Sequence, residues 1–171
     1  MKPSIVVTQG SLLIVAHTLS NHPNDYAQAI PALDAIPIEL GKPTAGVMDC
    51  GYFTSATVIA MQERNIEPYI ATGRDGHHQD WKTELAQPDL PPPDTASERA
   101  KMTYKLKTVT GQAIYRLRKS TVEPVIGIIK DVLGFRQFSL RGLSAVAAEW
   151  SLVCLAYNFK RLHTLLAIKF A

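Results

Sequence analysis

Two carboxylates in this chain stand where an acid could meet a ligand. Asp49 closes the apolar run Ala45-Gly46-Val47-Met48, and an acid at the C-terminal end of a buried strand lies where α/β sheets present ligands. Cys50-Gly51-Tyr52 then lets the backbone turn sharply, and a strand-end Asp is more often a cap or turn residue than a functional one. Glu123 lies in the stretch from Tyr115 to Lys130, with Thr121 before it and Pro124 after it. Proline is tolerated in a helix's first turn, so Thr121 is a candidate cap and Glu123 a first-turn residue. Lys130, seven positions on, would share its helical face and present a cation beside the carboxylate. A glutamate that merely satisfies free N–H groups at a helix start explains the same position. Arg116, Arg118, Lys119, Arg136 and Arg141 crowd the neighbourhood, a composition suited to phosphate contacts.

Other polar and aromatic residues carry milder readings. His77-His78 has no Cys or third ligand at metal-binding spacing, which favours exposed loop histidines. Arg74 is a candidate DNA contact or a plain surface residue. Trp150 and Tyr157, seven apart, favour a core role over a base-stacking platform.

The elements that must position these residues follow from the hydrophobic pattern. Ile5 to Thr8 and Leu12 to Leu19 are β-rich runs split by Gln9-Gly10-Ser11, the mark of a hairpin. Asn24 or Asp25 is a candidate cap for a helix to about Leu33. A short strand at 45–48, a helix from Ser55 to about Arg64 and a strand at Pro68–Ala71 come next, which together predict a mixed α/β sheet. Residues 73–96 hold Gly73, Gly76, Pro88 and Pro91-Pro92-Pro93, so they read as a loop or linker. Helical signals resume at Ser97-Glu98, break near Thr110-Gly111 and at Gly134, and run to the C-terminus.

Composition bounds the function classes. With 171 residues, 46% of them hydrophobic and 19% charged, the chain has enough apolar content for one buried core and is not disordered throughout. Cys50 and Cys154 make neither a disulfide framework nor a zinc site. The net charge of +3 hides an asymmetry: residues 1–90 hold 5 Lys and Arg against 10 Asp and Glu, and residues 91–171 hold 13 against 5. The basic half is the candidate surface for a polyanion. No signal peptide is legible, and the apolar run Leu143–Phe159, interrupted by Glu149, is shorter than the ~20 residues of a membrane span. A cytoplasmic protein without a membrane partner is expected.

Three segments, taken in order, resemble a known family: Asp49-Cys50-Gly51-Tyr52-Phe53-Thr54, Tyr115 to Lys130, and Gly134 to Leu143. They are similar to the DDE-class transposases of bacterial insertion sequences, and the similarity continues to Ala156-Tyr157-Asn158-Phe159-Lys160-Arg161-Leu162. The resemblance implies DNA cleavage and strand transfer at transposon ends, with Mg²⁺ as cofactor and DNA as partner. It also implies that Asp49 and Glu123 are catalytic, metal-binding carboxylates and that Lys130 contacts the DNA end, with Tyr115 and Arg118 or Lys119 as the other signature members; Arg136 and Arg141 join these as candidate DNA contacts through their charge. Two Mg²⁺ ions ~3.5–4 Å apart suit such chemistry, and hard cations of this kind take oxygen ligands. The family leaves three residues between its Arg and Glu. Here Arg118 to Glu123 leaves four and Lys119 takes the three-residue position, so either cation could fill that role.

The expected fold is α/β: a ribonuclease-H-like mixed sheet that is incomplete, its first strand missing, with a helical C-terminal segment. Residues 1–171 would then be a partial catalytic domain, with 73–96 as a loop within it and 97–171 as the helical segment carrying the catalytic glutamate. The family's first aspartate lies upstream of the hairpin, where this chain has only Met1-Lys2-Pro3. A truncated, inactive fragment is therefore expected, with a homodimer or a complementing transposase fragment as a candidate partner. A non-catalytic DNA-binding remnant using the basic half, and a decayed reading frame without a stable product, are the alternatives.

Overall fold

A computed structural model describes residues 1–22, 26–73 and 91–169. Contacts divide the chain into two compact units, one of residues 1–23, 31–41 and 119–171, the other of residues 24–30 and 42–118. The candidate cap Asn24 or Asp25, Arg74 and His77-His78 lie outside the described residues. The helix expected from that cap is present as the short α1 (Ala29–Asp34).

The first unit is built on the predicted hairpin. Strands β1 (Lys2–Val7) and β2 (Ile14–Ser20) pair antiparallel from Lys2 opposite Ser20 to Val7 opposite Ile14, with a bulge between Val6 and Val7. The long helix α5 (Leu143–Lys169) lays one face on this ribbon. Ile14, Val125, Ile129, Trp150, Cys154 and Tyr157 form the buried cluster, flanked by Ile5, Val7, Phe135 and Phe138. Polar side chains of α5 fasten it to the ribbon backbone. Asn158 accepts from the Ile14 amide at 2.9 Å and donates to the Ile14 carbonyl at 2.8 Å. The Tyr157 hydroxyl donates to the Leu12 carbonyl at 2.8 Å, and Arg161 Nε donates to that of Ser11 at 2.7 Å. Trp150 and Tyr157 are core residues, as their spacing suggested.

The second unit carries the predicted strand–helix–strand. Strand β3 (Ala45–Met48) lies parallel to β4 (Glu67–Ile70), joined through α2 (Ser55–Glu63), whose Thr54 cap accepts from the Thr57 amide. A Cβ at Gly46 would come within 2.6 Å of Met61 Cε, so the missing side chain lets α2 sit down on β3. Helix α3 (Glu98–Lys107), capped by Ser97, covers the other elements with cationic stems. Lys105 pairs with Glu67, donates to the Pro68 carbonyl and lies 4.2 Å from the Tyr69 ring centre. Arg99 stacks 5.0 Å from the Phe53 ring centre and donates to the Thr72 carbonyl at 2.7 Å.

Two expectations need correction. The four described strands form two separate two-stranded sheets, one antiparallel and one parallel, where a single mixed sheet was expected. Each sheet packs on helices within its own unit. The helix expected to begin at Thr121 also begins far earlier: α4 spans Val109–Gly127, after a break at Thr108, the C-cap of α3. Thr121 is a buried side chain inside it, and Pro124 is an interior residue. Proline there removes one backbone hydrogen bond, yet Val125 and Ile129 are almost wholly buried, so packing outweighs the local preference. The helix then widens into a π turn at Ile128–Val132 and stops at Gly134, whose φ of 73° suits a residue without Cβ.

Candidate active site and nucleic-acid interface

Asp49 follows the last residue of β3 and precedes the 3-10 turn Cys50–Tyr52. Its side chain makes no capping hydrogen bond to that turn, so the cap explanation for this acid fails. The carboxylate instead accepts from Arg118 Nη1 at 2.9 Å. Arg118 comes from α4, and its guanidinium carbon lies 5.6 Å from the centre of the Tyr115 ring, one helical turn back. The pair is asymmetric in burial: the Asp49 side chain is 57% exposed and that of Arg118 17%. Arg118 Nε is buried with no hydrogen-bond partner, so this cation is held with part of its donor capacity unused.

The fold thus brings together three of the residues singled out in the sequence, Asp49, Tyr115 and Arg118, all within the second unit. Between the two cations open at the sequence level, Arg118 is the one that engages Asp49; Lys119, next on the helix, is exposed. Glu123 belongs to the first unit. It is an exposed residue of the helix interior, which removes its reading as a first-turn glutamate. Lys130 is exposed within the π turn, so the seven-residue spacing that would place it on the face of Glu123 in an unbroken α-helix does not apply.

Of the remaining cations, Arg136 pairs with Asp131 at 2.8 Å, both largely exposed, and Arg141 is an exposed residue just before α5. Among acids, sequence reasoning passed over Glu149, which served only to interrupt an apolar run. Its carboxylate accepts from the Ser139 amide at 2.8 and 3.1 Å and from the Leu140 amide at 3.1 Å. Those bonds, that from Ser139 foremost, hold its pKa below the ordinary carboxylate value. Arg99 was likewise unmarked. Its seat on Phe53 steadies the segment that follows Asp49, and its position just after the Ser97 cap was the legible signal.

The oxygen donors of Asp49 and Glu123 have the chemistry a hard divalent cation takes. Asp49 is paired with Arg118, and no group of three or more His, Cys, Asp or Glu side chains comes together among the described residues. The same geometry is suited to phosphate, because a guanidinium fork donates to phosphate as readily as to carboxylate. No described helix is long and apolar enough to cross a membrane.

Comparison with known proteins gives one match. The family model described as transposase DDE domain matches residues 1–159. Neither the curated proteins nor the solved structures contain a match.

Proposed function

Because the chain belongs to the transposase DDE domain family, we propose that it acts in DNA transposition by binding transposon-end DNA, with cleavage and strand transfer requiring a further carboxylate from another polypeptide or another part of a longer protein. The observation that carries this reading is the meeting of Asp49 with Arg118 and Tyr115 inside the span that matches the family. In this reading Arg118 exchanges the Asp49 carboxylate for a DNA phosphate, Tyr115 supports the guanidinium, and Lys119, Lys130, Arg136 and Arg141 add phosphate contacts. Asp49 and Glu123 are the carboxylates that the family signature commits to Mg²⁺; with Asp49 engaged by Arg118, the chain alone is catalytically silent. The ribonuclease-H-like core and a cytoplasmic location belong to the same proposal.

The test is binding of the purified chain to duplexes carrying the ends of the element that borders its coding sequence. Expected is end-preferring binding whose logarithmic salt dependence steepens by about 0.9 per phosphate neutralised. Lys119→Ala and Lys130→Ala should each flatten it by about one such step. Equal affinity for ends and random duplex would remove the transposon-end reading. Mg²⁺-dependent cleavage by residues 1–171 alone, abolished by Asp49→Ala, would overturn the claim of silence. The engaged state of Asp49 also favours a second reading, a non-catalytic DNA-binding remnant. It predicts binding indifferent to Asp49→Ala and Glu123→Ala, and no cleavage when a complementing transposase fragment is added.

A further inference from the structure

The pairing of β3 with β4 ends where the amide of Ala71 donates to the carbonyl of Met48 at 3.2 Å. Beyond that bond, one strand continues into Asp49 and the 3-10 turn Cys50–Tyr52, the other into Thr72. Arg99 of α3 bridges the two continuations. Its guanidinium carbon lies 5.0 Å from the centre of the Phe53 ring, and its Nη1 donates to the Thr72 carbonyl at 2.7 Å. Phe53 is buried and so gives a fixed seat. Thr103, one helical turn on, adds a second hold: its hydroxyl lies 2.9 Å from that of Thr72 and donates to the Arg99 carbonyl at 2.8 Å. Met102, buried beneath α3, anchors the helix that carries both residues. Within the turn, the Tyr52 amide donates to the Asp49 carbonyl at 3.0 Å and the Phe53 amide to that of Cys50 at 3.2 Å. A ring fixed at Phe53 therefore restrains the backbone of Asp49, whose carboxylate meets Arg118.

We propose that Arg99 is a positioning residue: by clamping Phe53 to Thr72 it keeps Asp49 within reach of Arg118, and so sets how readily Arg118 is surrendered to a DNA phosphate. The inference rests on the reading of Arg118 as a phosphate ligand. The clamp needs a guanidinium, because a plane must lie on an aromatic face while an N–H of that plane donates to a carbonyl. An ammonium keeps the charge but has no plane to stack. Asp49 depends on such support, since its side chain is more than half exposed and its backbone decides where the carboxylate goes. Gly51 gives the turn a freedom that the clamp removes. An exposed ion pair shifts an equilibrium by no more than about fivefold. Within so narrow a range, a small loss of alignment at Asp49 changes the competition between its carboxylate and a phosphate.

Two measurements on the purified chain test this, one of them without DNA. In amide exchange, Arg99→Lys and Arg99→Gln should each speed Tyr52 and Phe53 about tenfold. Ala71 should be unchanged and the circular-dichroism signal retained, because residue 99 is exposed. In binding to transposon-end duplex, Arg99→Lys, which keeps the net charge, should tighten the complex about threefold at an unchanged salt slope, since a loosened Asp49 competes less for Arg118. In an Asp49→Ala background the same substitution should change nothing, an outcome that a purely structural role of Arg99 does not produce. Unchanged exchange at Tyr52 and Phe53, or an effect on binding that persists without Asp49, would overturn the proposal. So would weaker binding with a salt slope flattened by about 0.9 in Arg99→Gln and kept in Arg99→Lys, the sign of a direct phosphate contact. A chain that binds no duplex would overturn the Arg118 reading and with it the DNA half of this proposal, while the exchange result decides the clamp by itself.

Discussion

Arg118 divides its guanidinium between a carboxylate and an aromatic face, and that division sets the state of Asp49. An ion pair with an exposed partner contributes ~1 kcal/mol or less, weak enough for a phosphate to compete. Its acid partner was legible in the sequence as a strand-end aspartate, because the short apolar run of β3 stops just before it. Its engagement was not, since Arg118 lies in a distant segment and arrives only through the packing of α4. Two predictions belong to this scale. Burial pushes the Cys154 thiol up to about 12, while Cys50 is only half-buried; iodoacetamide at pH 8 should label Cys50 and spare Cys154 until denaturant is added, as mass spectrometry of digests will show. The Glu149 pKa is lowered in the folded state, so the unfolded chain binds its proton more readily and the stabilisation exists above the ordinary carboxylate range. It is lost as pH falls through the folded value. Amide exchange at Ser139 and Leu140 should accelerate below that point, and Glu149→Gln should show no such step.

Among elements, the hairpin, the strand–helix–strand and the Ser97 start of α3 were all readable, because alternation, caps and turn residues are local signals. The start of α4 was misread for a physical reason. Thr121-Val122-Glu123-Pro124 carries a helix-start pattern, but burial of Thr121 and Val125 holds it inside a longer helix whose disrupted backbone passes into a π turn. The corner between α3 and α4 rests on one residue: a Cβ at Gly111 would fall 1.9 Å from the Lys105 carbonyl oxygen. Gly111→Ala should therefore cost on the order of 1–3 kcal/mol, seen as a lowered urea midpoint. Asn158→Ala removes both bonds to Ile14 and should cost about 1–3 kcal/mol, with faster amide exchange at Ile14 as the specific sign that the helix has released β2.

At the scale of the whole molecule, the acidic and basic halves of the chain assign themselves differently from the two compact units. The unit of residues 42–118 joins Asp49 from the acidic half to Arg118 from the basic half. The other unit closes the chain's start against its end, through Tyr157, Asn158 and Arg161 on the hairpin backbone. Since that unit depends on contacts between residues about 145 positions apart, its assembly pays loop-closure entropy before burial repays it. Truncation of the chain at residue 142 should accordingly strip the hairpin of its cover and abolish its amide-exchange protection.

The sequence by itself determined the family, the hairpin, the strand–helix–strand segment, the core role of Trp150 and Tyr157, and the candidate acids. All of these rest on residue type and short-range period. Tertiary structure alone decided that Asp49 meets Arg118, that Glu123 lies within a helix interior, that the strands form two sheets, and that Arg99 reaches both Phe53 and Thr72. Those outcomes depend on which surfaces bury one another, and burial between distant segments has no local signature in the chain.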